Sequence, residues 1–546
     1  MKRFFPCSTC SFNSVGRLVL SWVLIGVFSC FLIATPSAAG PKRGGTFVMA
    51  LGGDPPNLNP NLVPGTITLE VSTNIFNLLV YLNFDFEIIP ELAESWKVSQ
   101  DGLTYTFNLV KNASWHDGKP VTSADVVYTL REVVPTTPRG GIWWTPNIVS
   151  VEAPDDYTVV VQLKHPYAPF LTLMANPIGG PHILPKHLYE GTDWKKNPYN
   201  NKPIGTGPFM FKKWARGDHI ELVENPKYFR RGKEGKPYCD RLVFRIMPDS
   251  AARLLAIKKG EVDYLYSYLI PFEEISRLRE DPGITADKRG NEALGVNNFL
   301  LFNLRRAPLS NELVRHAIGY AIDKEQIVKL VLGGEGQPAK SFVHSGLSWA
   351  HNPNVPAYKH DPKRANALLD KAGYSRKGDG TRFKLQLTAN VGRPFQTAAA
   401  EVIRDQLKQV GIDLQIVSLD RAAIVDSIYM KWDFDMHLQL LATGPEPTIN
   451  TTRFLHTRQI KKAAYVNVMG YSNPEVDKLL DLEFTQVDPK KRAATWHKIQ
   501  EIAMNELPLI PVWEQPIANT YRSVWADVLT GPFGVYQTRE HAYLKE

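Results

Sequence analysis

Phe383-Lys384-Leu385-Gln386-Leu387 alternates apolar and polar residues, as a half-buried strand does; Thr397 to Val410 then has a helical period, and Gly411 leads into Ile412, Leu414 and Ile416, a second strand. Strands joined by a helix pair in parallel, because the crossover returns the chain to the end from which it started. The unit predicts an α/β chain with a mostly parallel sheet, helices on both faces, and ligands at the carboxyl ends of its strands. Asn390-Val391-Gly392-Arg393-Pro394-Phe395 lies at such an end. The Arg393 guanidinium there suits a carboxylate or phosphate, the bland alternative being a surface arginine near a helix N-terminus.

On either side of this unit the second half is rich in packing helices. Ser310 is placed to cap a helix whose apolar face is Val314, Ala317, Ile318, Ala321 and Ile322, and Asp323 with Gln326 restarts another. Asp361-Pro362 opens a third with Ala365, Leu368, Leu369 and Ala372 on one face, closed by Gly373. Asp488-Pro489 starts a fourth with Trp496, Ile499 and Ala503, stopped by Pro508. The first half reads as strands: Thr46 to Leu51, Leu103 to Leu109 between two Asp-Gly turns, and a run marked by Val159, Val161 and Leu163. Thr122 with Asp125 forms a capping box. The Pro/Asn/Gly-rich stretch from Gly52 to Thr66 is long for a plain connection. Gly65, Thr66 and Ile67 are therefore candidates to line a site, with an ordinary surface loop as the alternative.

With 546 residues, 44% hydrophobic and 22% charged, the chain has room for several folding units and excludes disordered and coiled-coil classes. Three of the four cysteines, Cys7, Cys10 and Cys30, fall in the first 30 residues, so Cys239 alone remains and no disulfide framework is available. Lys2, Arg3 and Arg17, the apolar run Leu18 to Ile33 and the small residues Ala34 to Ala39 form a secretory signal with cleavage expected after Ala39. Retention of the run as a membrane anchor is the alternative. Removal of residues 1–39 takes away three basic residues and no acid, lowering the formal charge from +8 to +5. Charges of both signs are interspersed, which argues against a nucleic-acid partner.

The sequence contains no nucleophile elbow, no phosphate-cradling loop ending in Lys-Ser/Thr and no His-Glu-x-x-His. The thirteen histidines are scattered, and the pair His182 and His187 flanks Pro185, so no metal and no cofactor is expected. Aromatics that could wall a pocket are Trp143-Trp144, Tyr264-Leu265-Tyr266-Ser267-Tyr268 and Trp432; the alternative for each is core.

Glu91-Leu92-Ala93-Glu94-Ser95-Trp96, the run Ser99 to Leu109, and Trp115-His116-Asp117-Gly118-Lys119-Pro120-Val121-Thr122-Ser123-Ala124-Asp125-Val126 strongly resemble the family-five solute-binding proteins of ABC importers, the peptide, nickel and opine group. Pro203-Ile204-Gly205-Thr206-Gly207-Pro208-Phe209, Val314 to Ile318 and Tyr471 to Asp477 extend the resemblance over nearly the whole chain after the signal. It implies a bilobal receptor: lobe I from 40–84, 205–297 and 514–546, an inserted small domain at 85–204, and lobe II at 298–513. It further implies a small polar solute held between the lobes, hinge closure, delivery to a membrane permease served by a separate ATPase subunit, a periplasmic location, a monomer, and no catalysis. An exported hydrolase or an oligosaccharide-binding member is the rival reading.

In peptide-binding relatives an Asp in the loop after the strand corresponding to Phe434 to Leu440 pairs with the ligand's α-ammonium. Here the run is Ala442-Thr443-Gly444-Pro445-Glu446-Pro447, with Thr443 at the Asp position. A neutral hydroxyl does not replace a charge-assisted bond. Glu446 is then either the substitute acid or a solvated loop residue. The expected ligand-binding set is Gly65, Thr66, Ile67, Arg393, Thr443, Gly444 and Glu446.

Overall fold

The structure, a computed structural model, describes residues 41–137, 145–231 and 235–545. The signal segment with its three cysteines and the Trp143-Trp144 pair lie outside the described residues. Three sheets dominate. A seven-stranded sheet runs, edge to edge, Ile284–Asp287, Asn519–Arg522, Tyr264–Tyr266, Thr46–Leu51, Arg241–Ile246, His219–Glu224 and Phe209–Ala215. A six-stranded sheet runs Gln337–Pro338, Leu509–Glu514, Val296–Phe302, Met436–Ala442, Phe383–Asn390 and Ile412–Leu419. Four antiparallel strands between Ala93 and Leu163 form the third.

The strand–helix–strand unit is present: Phe383–Asn390 pairs in parallel with Ile412–Leu419 in register Phe383 to Ile412, and Pro394–Gln409 crosses between them. The expectation of a mostly parallel sheet needs correction. Val296–Phe302 is antiparallel to both its neighbours, Met436–Ala442 and Leu509–Glu514, so the sheet is mixed. Local periodicity sees a crossover but not a strand brought back from more than a hundred residues away. The predicted helices form with small shifts. Asn311, not Ser310, caps Glu312–Ala321, its side chain accepting from the Leu313 N–H, while Asp323, Asp361 and Asp488 cap as expected. The candidate loop at 64–68 is in part helical, since Gly65 is the N-cap of Thr66–Ser72.

Two extensive apolar cores result. One is continuous through the seven- and four-stranded sheets, from Phe47 and Phe244 to Phe107 and Val161; the other fills the six-stranded sheet around Phe299, Leu385, Ile403 and Trp496. The family-type run Pro203 to Phe209 seals the first. At Gly205 a Cβ would lie 1.9 Å from the Ile75 carbonyl oxygen, so only glycine lets these backbones meet. The chain passes between the two large sheets twice, at 288–295 and 515–518, the arrangement a hinge requires.

Candidate functional site

Three parallel neighbours, Ile412–Leu419, Phe383–Asn390 and Met436–Ala442, end on the same side of the six-stranded sheet. Their carboxyl ends deliver Arg421, Arg393 and Thr443. From the seven-stranded sheet, the carboxyl end of Tyr264–Tyr266 delivers Tyr268, whose phenol lies within electrostatic reach of Arg393. Nearby Phe272 meets Phe395 with ring centroids 5.7 Å apart, so the elements beyond these strand ends touch across the two sheets. Tyr268 is 45% exposed, yet the surrounding protein raises its phenol well above the ordinary range.

On the six-stranded side the wall is aromatic and cationic. The fully buried Tyr429 and the half-buried Tyr465 pack with ring planes tilted by 50° and centroids 5.2 Å apart, and Arg421 Nε donates to Tyr465 Oη at 3.0 Å. Tyr429 Oη donates to Gln439 Oε1 at 2.7 Å. Burial pushes the neighbouring His437 down to about 4, so this imidazole is neutral at physiological pH. The half-buried Arg393 guanidinium lies within electrostatic reach of Tyr268, Tyr465, Tyr429 and Arg421, and burial lowers its pKa. Among the described residues no carboxylate pairs with Arg393 or Arg421. Arg453, in the helix Pro447–Leu455, also borders Tyr429, and its Nη2 donates to Asn450 Oδ1 at 3.0 Å.

On the other wall Thr66 Oγ1 and Tyr536 Oη share a hydrogen bond of 2.9 Å, and Tyr536 packs edge-on to Tyr266, which packs edge-on to Tyr268. Thr66 thus connects with the aromatic face by side chain, whereas Gly65 and Ile67 contribute the helix entry. Beneath, Glu70 is fully buried and its carboxyl is pushed up to about 8 by desolvation, with Arg539 opposing.

The strand end at Met436–Ala442 turns out differently from its neighbours. Thr443 is fully buried, and its hydroxyl donates to the Gly295 carbonyl at 3.0 Å while its N–H donates to the same oxygen at 2.8 Å. Gly295 sits at φ +54, and a Cβ on it would come within 2.3 Å of Thr443 Oγ1. Thr443 therefore ties the strand end to the 288–295 crossing, and Gly444 follows with its N–H on the Leu294 carbonyl. Glu446 is not a solvated acid. It caps its helix and is held by Arg492 at 3.0 and 2.5 Å, the pair being 2% and 7% exposed. Neither Thr443 nor Glu446 presents a free group toward Arg393.

Trp432, the other aromatic singled out, stacks under Arg305 at 4.0 Å. His187 bonds Asp117 at 2.7 Å, and His182 is buried. Sequence reasoning missed Arg421, Arg453, Tyr429 and Tyr465; they stand far from Arg393 in the chain, and only the sheet order gathers them. No helix of the described residues is long and apolar enough to cross a membrane, and no group of three or more His, Cys, Asp or Glu among them is placed to hold a metal ion.

The model for bacterial extracellular solute-binding proteins, family 5 matches residues 87–462. The oligopeptide-binding protein AppA of Bacillus subtilis is 29% identical over 496 residues, 87% of each chain. The structure of the periplasmic binding protein DppA of Helicobacter pylori with the peptide STSA aligns with TM-score 0.72 and 28% identity, covering 92% of this chain and 99% of that one. That of AgaA with agropinic acid, from A. tumefaciens R10, aligns with TM-score 0.69 and 25% identity, covering 92% and 99%. Such proteins are extracellular or periplasmic receptors that bind and do not transform their solutes, so the hydrolase reading falls away. With its mixed α/β bilobal fold and opposed strand ends, the chain belongs to the family-5 extracellular solute-binding proteins, the substrate-binding components of ABC importers.

Proposed function

We propose that the protein captures a small organic acid whose carboxylate docks on Arg393, between a wall of Tyr429, Tyr465 and Arg421 and a wall of Tyr268, Tyr266 and Thr66. The unpaired guanidinium of Arg393 carries this reading: a half-buried cation without a protein carboxylate is stabilised when a ligand supplies one. The fate of the position after Ala442 supports it. Thr443 offers no charge to an ammonium and is spent on Gly295, and Glu446 is spent on Arg492, so the ligand's anionic end dominates recognition. Gly65, Ile67 and Gly444 contribute backbone and shape to the site in this reading. Peptides and opine-type amino-acid conjugates, named for the relatives above, share the carboxylate chemistry.

In this reading lobe I comprises 40–84, 205–297 and 514–546, the inserted domain 85–204, and lobe II 298–513. The receptor works as a monomer, cut after Ala39, and passes its solute to a permease driven by a separate ATPase. A ligand that binds only the folded state adds about 2.7 kcal/mol of stability at a hundredfold excess over its Kd. Thermal shifts with a panel of carboxylates and the matching amides test the reading. Acids should raise the melting temperature of wild type and leave Arg393→Gln unmoved. Shifts caused by neutral or cationic solutes and retained in Arg393→Gln would contradict it.

A further inference from the structure

Arg453 is sparsely bonded to the rest of the protein. It stands in the helix Pro447–Leu455, half-buried, and only one of its contacts is a hydrogen bond: Nη2 to Asn450 Oδ1 at 3.0 Å. Its Nε is buried without a partner. Asn450 in turn donates to the Ala442 carbonyl at 2.7 Å, which fixes Arg453 to the strand end that precedes Thr443. The Phe454 ring lies 6.0 Å from the guanidinium, and Tyr429 is the one titratable group that bears on it. No carboxylate among the described residues pairs with it. A guanidinium carries five N–H donors, and burying that charge without a counter-ion costs several kcal/mol. The sequence retains the cation all the same.

Arg393 and Arg453 stand on different elements, the first as N-cap of Pro394–Gln409 and the second within Pro447–Leu455, and Tyr429 lies within electrostatic reach of both. We propose that Arg453 is a second anion anchor and that the solute held on Arg393 therefore carries two acidic groups: an amino-acid conjugate with two carboxylates, or a dipeptide with an acidic side chain. The inference rests on the carboxylate reading of Arg393 given above.

Titration calorimetry with two matched pairs tests it: alanyl-glutamate against alanyl-glutamine, and N-(1-carboxyethyl)alanine against its monoamide. In each productive pair the diacid should bind wild type about tenfold or more tighter than the amide, the difference a charged hydrogen-bond partner makes. Arg453→Gln should close that gap by weakening the diacid far more than the amide, Arg453→Lys should keep part of it, and Arg393→Gln should weaken both members alike. Equal wild-type affinity within both pairs, or a gap that survives Arg453→Gln, overturns the second anchor alone. Wild type that binds neither member of either pair contradicts the carboxylate reading and this inference with it. The pair that shows the gap tells a peptide from a conjugate.

Discussion

Arg492 and Arg453 are two arginines withdrawn from solvent on either side of one helix terminus, and they are treated oppositely. Arg492 is gripped by Glu446 at 3.0 and 2.5 Å and by Glu483 at 3.1 and 3.2 Å, with Thr448 and Trp496 completing the acceptors' hydrogen bonds. Arg453, further along the helix that Glu446 caps, has one amide oxygen. A buried cation surrounded by carboxylates is scaffold, because every charge is compensated before any ligand arrives. A withdrawn cation left without them is costly in the empty protein and is relieved by an anion from outside. Arg393 shares the second condition, Arg421 beside it is exposed, and all three border the Tyr429–Tyr465 pair.

Stability measurements on the empty protein are the hardest test of that contrast. Glu446→Gln removes one of the two carboxyl groups that hold the buried Arg492 and should cost about 3–5 kcal/mol in denaturant unfolding. Arg453→Gln removes an uncompensated charge and should leave stability unchanged or raised. A large loss from Arg453→Gln would make the two arginines alike and remove the distinction.

Proton linkage sharpens the picture with a smaller effect. Desolvation pushes Glu483 up to about 8, Glu70 up to about 8 and Glu91 up to about 7. These carboxyls hold protons in the folded chain that the unfolded chain has released, so their contribution falls as pH rises from the ordinary carboxylate range toward 8. The buried histidines His116, His182 and His437, held down to about 4, 3 and 4, act the other way, but only below their unfolded value near 6.5. Melting temperature should therefore decline between pH 6.5 and 8.5, and the decline should be shallower in Glu483→Gln. An increase across that window would show that Glu483 is ionised and that Arg492 carries two full countercharges.

Much of this architecture is legible in local sequence. Asp323, Asp361 and Asp488 announce their helices because an N-cap is a contact over two or three residues, and Phe383 to Leu387 announces a strand because its period is two. Arg393 is legible as a candidate for the same reason: it follows a readable strand and precedes a readable helix. What is not legible is what faces it. Arg421, Tyr429, Arg453 and Tyr465 converge through the order of strands in a mixed sheet, and no spacing rule connects them. Nor does sequence distinguish a bonded acid from a free one. Glu446 reads equally as a ligand group or a loop acid until Arg492, 46 residues away, is found against it.

The most direct measurement of the central claim is the chemical character of the solute that copurifies with the wild-type protein, released by denaturation and weighed before and after methyl esterification. The account predicts an acidic small molecule that takes up methyl groups at carboxylates, two of them if Arg453 is a second anchor, and that is absent from protein carrying Arg393→Gln. A neutral or purely cationic solute with no carboxylate to esterify, retained equally by Arg393→Gln, would contradict it.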